Sequence, residues 1–382
     1  MKLKVILVSM VLLSLVGCQP TGEAVLTEPA PISGAAVDSE STANIEANSS
    51  PAAVLTDGLG REIVFDKLPQ RVVITGRAAQ LILHTAFTFD EADARVVAME
   101  QRTQRNVSML PLVDSAYADA IQLEKDASAE AIAAANPDAV LLKSYLADSL
   151  GAPLEALGLT TIYLDLETPE QFFRDVRVLG TLFGNPARAE EVLAFYQERL
   201  DLVSRAAATV PVEQRPRVLL LQYTDKGGQA AVNVPPAAWL QTVQVELAGG
   251  EPVWLDAAGS GWTVVDLEQI AAWDPDYVFV VYYAGDPAPA TEALRADSGW
   301  AALKAVREGH LLGFPGDFVS WDQPDTRWIL GLEWLASRLL PEGSFSFDVQ
   351  GEMRAFYQEL YGLDQTTFET KVLPLLNGDY EP

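Results

Sequence analysis

The chain has 382 residues, more than one ordinary core needs, and 49% of them are hydrophobic, enough to fill two packed lobes. Its 53 acidic and 26 basic residues give a formal net charge of −27, a surface that repels a phosphate backbone and so argues against nucleic acid as a partner. The one cysteine, Cys18, and two histidines, His84 and His310, exclude an intrachain disulfide and leave too few ligands for a Cys/His zinc site.

Lys2 and Lys4 make a basic start, residues 5–16 are an apolar run, and Gly17 and Cys18 follow. Twelve apolar residues are too few for a bilayer span, which takes about 20. The order of basic start, short apolar core and small residues is that of a secretory signal over residues 1–18. Leu15-Val16-Gly17-Cys18 resembles the bacterial lipobox, which implies lipidation of Cys18 and an extracytoplasmic protein anchored to the cell membrane. Residues 19–53 are rich in Ala, Ser, Thr, Pro and Glu and contain no aromatic residue. Such a segment buries too little apolar surface to fold, and a disordered tether is expected.

Strand-like apolar runs then alternate with helix-like stretches. Residues 71–74, 95–98, 139–142 and 161–164 are predicted strands, and 217–222, 277–282 and 311–314 repeat the style. Alternation of this kind predicts an α/β fold with parallel sheets. Residues 128–142 (SAEAIAAANPDAVLL) and 266–280 (DLEQIAAWDPDYVFV) match at seven of fifteen positions with a constant offset of 138, among them Glu130/Glu268, Pro137/Pro275 and Asp138/Asp276. Each copy opens on an N-cap residue, Ser128 or Asp266, runs a short helix, stops at Asn-Pro or Asp-Pro and enters a strand. The repeat predicts two similar lobes, over residues 54–184 and 209–382. Between them Asn185-Pro186 opens a segment with Val192, Tyr196, Leu200 and Val203 three or four apart, a linking helix expected over 185–208. Two lobes on one strut leave a cleft, and open α/β sheets bind ligands at the carboxyl ends of their strands.

Several motifs in this order carry a family resemblance. They are Asp57-Gly58-Leu59-Gly60-Arg61, Pro69-Gln70-Arg71-Val72-Val73, the two repeat copies, Gly184-Asn185-Pro186, Asp297-Ser298-Gly299-Trp300 and Ala305-Val306-Arg307-Glu308-Gly309. From about Leu55 to Pro382 the chain resembles the ABC-importer substrate-binding lipoproteins for iron–siderophore complexes, haem and vitamin B12. The resemblance implies the class III periplasmic binding protein fold, two Rossmann-like parallel-sheet lobes joined by one long rigid helix with little closure. It also implies that one surface glutamate per lobe, Glu130 and Glu268, docks onto a dimeric ABC permease with a cytoplasmic ATPase. It further implies a monomer without a permanent cofactor, any metal arriving within the ligand.

Residues just after strand ends should line the cleft: Arg77 and Tyr145 in the first lobe, Tyr223, Tyr282 and Tyr283 in the second. Trp262, six residues before Glu268, resembles an aromatic ligand contact of the vitamin B12 binders. Trp321 and Arg327 lie in the loop and helix start after the last strand. All eight tryptophans lie at or beyond Trp239. Aromatic faces suit macrocycles and catecholate chelates, and Arg77 and Arg327 suit a carboxylate or oxyanion. Trp300, Trp328 and Trp334 are assigned to packing. The stretch 320–331 is similar to a branch of the family that includes molybdate and tungstate binders, which keeps a small oxyanion as the alternative ligand. An extracytoplasmic α/β enzyme and a receptor that senses without importing are the rival classes. The chain contains no G-x-x-x-x-G-K-[ST], G-x-S-x-G or H-E-x-x-H motif, so no enzyme is expected.

Overall fold

Runs of Val, Leu and Ile that are apolar at every position, not every second one, form strands covered on both faces. In the computed structural model, which describes residues 51–102, 107–226 and 229–381, two such sheets follow one another along the chain. Cys18, the signal and nearly all of the tether lie outside the described residues. Residues from Ser50 onward form one compact unit, and among the described residues no helix is long and apolar enough to cross a membrane.

The unit opens with an antiparallel hairpin, β1 (Ala53–Thr56) and β2 (Glu62–Phe65). Asp57-Gly58-Leu59-Gly60-Arg61 is its turn and its fastener. The buried Asp57 carboxylate accepts from the backbone N–H groups of Leu59 and Arg61 and from the Arg61 guanidinium. Arg61 donates onward to the Thr161 carbonyl and lies over the Tyr163 ring. Gly58 donates to the Tyr163 carbonyl, and a Cβ there would sit 2.7 Å from Ser144 Oγ. The motif therefore pins the hairpin to the first sheet.

That sheet contains β3 (Val72–Ile74), β4 (Val96–Glu100), β5 (Ile121–Leu123), β6 (Ala139–Lys143) and β7 (Thr161–Leu164), all parallel, in the order β5-β4-β3-β6-β7. The chain winds to one side of β3 and then to the other, so the loops after β3 and β6 flank a topological switch point. The second sheet contains β8 (Arg217–Lys226), β9 (Gln229–Val234), β10 (Glu251–Pro252), β11 (Thr263–Val265), β12 (Tyr277–Val281) and β13 (Leu311–Gly313). Its order is β11-β9-β8-β12-β13, with the short β10 also against β8. β8, β12 and β13 are parallel, whereas β9 pairs antiparallel with both β8 and β11. The sequence reading anticipated the parallel core and missed this antiparallel edge.

The repeat copies become equivalent helix–strand units, Ala129–Ala133 into β6 and Leu267–Trp273 into β12. Ser128 and Asp266 cap the helices through their side chains. Asn136 and Asp274, at the same offset, both hold left-handed backbone, φ 50° and 43°, a conformation that Asn and Asp tolerate better than most residues. Two residues on, the Asp138 carboxylate accepts from the Arg71 N–H at 2.9 Å and the Asp276 carboxylate from the Arg217 N–H at 2.8 Å. Each thereby ties its β-turn to the strand that begins its sheet.

Helix Pro186–Ala207 follows the first sheet, with Asn185 capping Arg188 N–H. Its 22 residues give about 33 Å at 1.5 Å each. Tyr196 on its inner face stacks on Trp328 with ring centroids 5.3 Å apart. Trp300, Trp328 and Trp334 are buried in the core, as expected of packing residues.

Candidate functional site

The loops at the carboxyl ends of the strands carry the cleft residues. In the first lobe, Gly76 holds φ 87°, and a Cβ there would meet Leu146 Cδ1 at 2.6 Å. The close approach seats the loop after β3 against the turn Ser144–Leu146 after β6. Tyr145 Oη donates to the Arg77 carbonyl at 3.0 Å, so the two expected ligand residues of this lobe stand together at the switch point. Both are exposed, and the Arg77 guanidinium makes no ion pair among the described residues. They line a cavity of about 530 Å³ with Gly76, Asp126, Ser128 and Leu146.

The second lobe presents aromatic rings. Tyr223 and Tyr282 meet edge to face at 6.0 Å. Trp262 contacts Trp239 at 5.8 Å and Tyr283 at 6.1 Å, again edge to face. All five rings are half-buried. Tyr283 is aimed by the buried Asp322, to which it donates at 2.6 Å, while Gln241 donates to the same carboxylate oxygen. Burial and then the Asp322 charge push the Tyr283 phenol well above its ordinary value.

One carboxylate relates the two faces. Glu167, just after β7, pairs with the buried Lys143 at 2.9 Å. Partial burial lifts the Tyr145 phenol, Arg77 opposes that shift, and Glu167 adds to it. Glu167 also adds to the rise at Tyr283. The same carboxylate thus raises one tyrosine of each lobe.

Two expected cleft residues are not in it. Trp321 and Arg327 are fully buried. Arg327 Nε lies 2.7 Å from Asp317 and its Nη1 lies 2.9 Å from Asp325. Its second amino group meets Met109 Sδ, and His84, from the first lobe, bonds Asp325. Two carboxylates already neutralise this guanidinium, which corrects the expectation that it meets a ligand anion. His84 is structural: burial lowers its pKa against the pull of Asp325. The sequence reading missed Trp239, Gln241, Asp322 and Glu167. Glu167 carries the strand-end signal used for Arg77 and Tyr145, whereas Gln241 and Asp322 act only through long-range contacts.

Glu130 and Glu268 are both exposed in the first turns of equivalent helices. Hydrogen bonds from its own backbone and from Ser128 hold the Glu130 carboxyl below the ordinary range. Among the described residues no group of three or more His, Cys, Asp or Glu side chains is placed to hold a metal ion.

A model described as periplasmic binding protein matches residues 102–317. No curated protein matches the chain at a significant level. Among solved structures, an ABC transporter solute-binding protein from Sulfurospirillum deleyianum superposes with a TM-score of 0.67 at 20% identity, covering 84% of this chain and 98% of that one. The molybdate periplasmic binding protein MolA of Haemophilus influenzae, bound to molybdate, gives 0.65 at 17% identity over 81% and 98%. A structure from the Fe3+-hydroxamate transport system of Saccharomonospora viridis gives 0.55 at 23% identity over 74% and 97%. At these identities the likeness is one of fold.

Proposed function

Since the chain belongs to the periplasmic binding protein family, we propose that it captures an iron complex (a siderophore or haem) or a corrinoid outside the cytoplasmic membrane and hands it to an ABC importer. The observation that supports the reading is the composition of the two strand-end surfaces. Trp239, Trp262, Tyr223, Tyr282 and Tyr283 offer flat apolar area with polar edges, which suits a macrocycle or an aromatic chelate. Arg77, exposed at the strand ends of the first sheet, suits an anionic edge of such a ligand. Any metal arrives inside the ligand. The solved relatives include proteins named for hydroxamate and for molybdate. The oxyanion alternative is the weaker reading because Arg327, the cation it relied on, is paired with two aspartates.

Delivery rests on Glu130 and Glu268. Two exposed carboxylates on equivalent helices of the two lobes fix orientation on a basic partner surface more than they add affinity. Cys18 anchors the chain to lipid, residues 19–53 tether it, lobes 54–184 and 209–382 flank the linking helix 185–208, and the protein acts as a monomer. The test is uptake of iron-55 chelates or labelled cobalamin by cells that make the full chain. The Glu130→Lys/Glu268→Lys chain should lose uptake and keep ligand affinity. Uptake that survived the double reversal would remove the docking role.

A further inference from the structure

The buried carboxylate of Glu100, at the carboxyl end of β4, stands between the ligand-facing loop and the approach to the Glu130 helix. It is fully buried, yet four donors reach it from three separate segments. Oε2 accepts from Thr75 Oγ1 at 2.9 Å and from the Gly76 N–H at 2.8 Å. Oε1 accepts from Arg102 Nε at 2.7 Å and from the Asp126 N–H at 3.1 Å. Arg102 continues to the Asp126 carboxylate at 2.5 Å. Both ends of this network are constrained backbone, with φ 87° at Gly76 and 57° at Asp126. Asp126 enters the segment that caps helix Ala129–Ala133 through Ser128, and Glu130 is in its first turn. The cavity of about 530 Å³ is lined from both sides, by Gly76 and Arg77 and by Asp126 to Ala129.

We infer that Glu100 is a positioning residue that holds the loop Thr75–Arg77 and the segment Asp126–Glu130 as one unit, so that a displacement of the ligand-facing loop is passed to the docking helix. The inference rests on the reading of Arg77 as a ligand contact and Glu130 as a docking contact. A buried charge with every lone pair directed at a fixed donor cannot move relative to one donor alone. Doing so would leave a buried polar group unpaired, which is costly. A loop shift at Gly76 therefore shifts Glu100 and draws Asp126 with it. Coupling of this kind is reciprocal, and docking at Glu130 would bias the ligand loop equally.

The test is amide hydrogen exchange of the full chain in detergent, read by mass spectrometry at peptides covering residues 75–78 and 126–131. Glu100→Gln keeps the shape but turns an acceptor into a donor facing Thr75, Gly76 or Asp126. Exchange should quicken by about tenfold in both peptides and stay unchanged across β12 in the second sheet. Thr75→Val removes one donor at the loop alone. In the otherwise native chain it should quicken exchange at 126–131 as well, and in the Glu100→Gln chain that remote effect should vanish. A structural role without coupling would leave 126–131 indifferent to Thr75→Val, and a remote effect that persisted in Glu100→Gln would route the coupling elsewhere. Either result overturns the inference. Because exchange needs neither ligand nor permease, coupled exchange together with normal uptake in the Glu130→Lys/Glu268→Lys chain would keep the hub and discard the docking role.

Discussion

Glu333 shows how one buried side chain sets a pH dependence. It lies on helix Trp328–Leu339, and burial, helped by the charge of Glu352, pushes its carboxyl up to about 8 against the opposing Arg199 at 3.8 Å. In the unfolded chain the same group titrates near 4.5. Between these two values the folded state binds the extra proton, so stability falls as pH rises, by up to about 1.4 kcal/mol per unit. Glu333→Gln removes the titration. Its urea midpoint relative to the native chain should therefore climb from pH 5 to pH 8, and a constant difference would mean that the carboxyl is not neutral when folded. Arg327 makes the opposite case. Removing it as Arg327→Met strands Asp317 and Asp325 in the interior, at a cost of about 3–5 kcal/mol by chemical denaturation. An arginine near the start of a helix after a strand reads as a cleft residue. Its partner Tyr357 is 30 positions away and His84 is 243, and no local pattern announces either contact.

At the scale of elements, the internal repeat is a pair of identical joints. Asp138 accepts from the N–H of Arg71, just before β3, and Asp276 from that of Arg217, the first residue of β8. Asp138→Ala and Asp276→Ala should each cost about 1–2 kcal/mol in urea unfolding, through the backbone donors they leave unpaired. The two sites lie in different lobes and share no partner, so the double variant should lose close to the sum. A double variant no worse than either single would show that only one joint matters. The helix stop and the strand start were legible because Asn-Pro or Asp-Pro recurs in both copies, whereas the left-handed residue and the aspartate ties were not. The strands β3, β4, β6, β7, β8, β12 and β13 were legible for a related reason, since continuous apolar runs need burial on both faces. β9 and β11 were not. Their residues alternate or sit beside glycine, and their pairing depends on β8 extending to Lys226, beyond its apolar stretch.

Across the whole molecule, the two lobes share more than the helix Pro186–Ala207. Arg188 on that helix donates to the Thr88 carbonyl of the first lobe and to the Glu359 and Leu360 carbonyls of the helix Val349–Tyr361. Tyr361 donates to the His84 carbonyl, and Tyr196 donates to the carbonyl of Thr326. The sequence pattern located the strut. It did not show these fastenings, because each joins residues a hundred or more positions apart through polar groups that no local pattern pairs. For the same reason it placed Arg77, Tyr145, Tyr282 and Tyr283 by their position after strands, and misplaced Trp321 and Arg327, whose loop folds beneath the aromatic wall.

The proposed function requires that the surfaces carrying Arg77 and Tyr145 and the aromatic rings together bind a metal chelate or corrinoid. Tryptophan fluorescence of the full chain in detergent tests it most directly, titrated with ferric catecholate and hydroxamate siderophores, haemin, cyanocobalamin, molybdate and tungstate. The account predicts saturable quenching by at least one of the chelates or cyanocobalamin, lost in Trp262→Ala, with no response to either oxyanion. Binding of molybdate or tungstate alone, or chelate binding indifferent to Trp262→Ala, would contradict it.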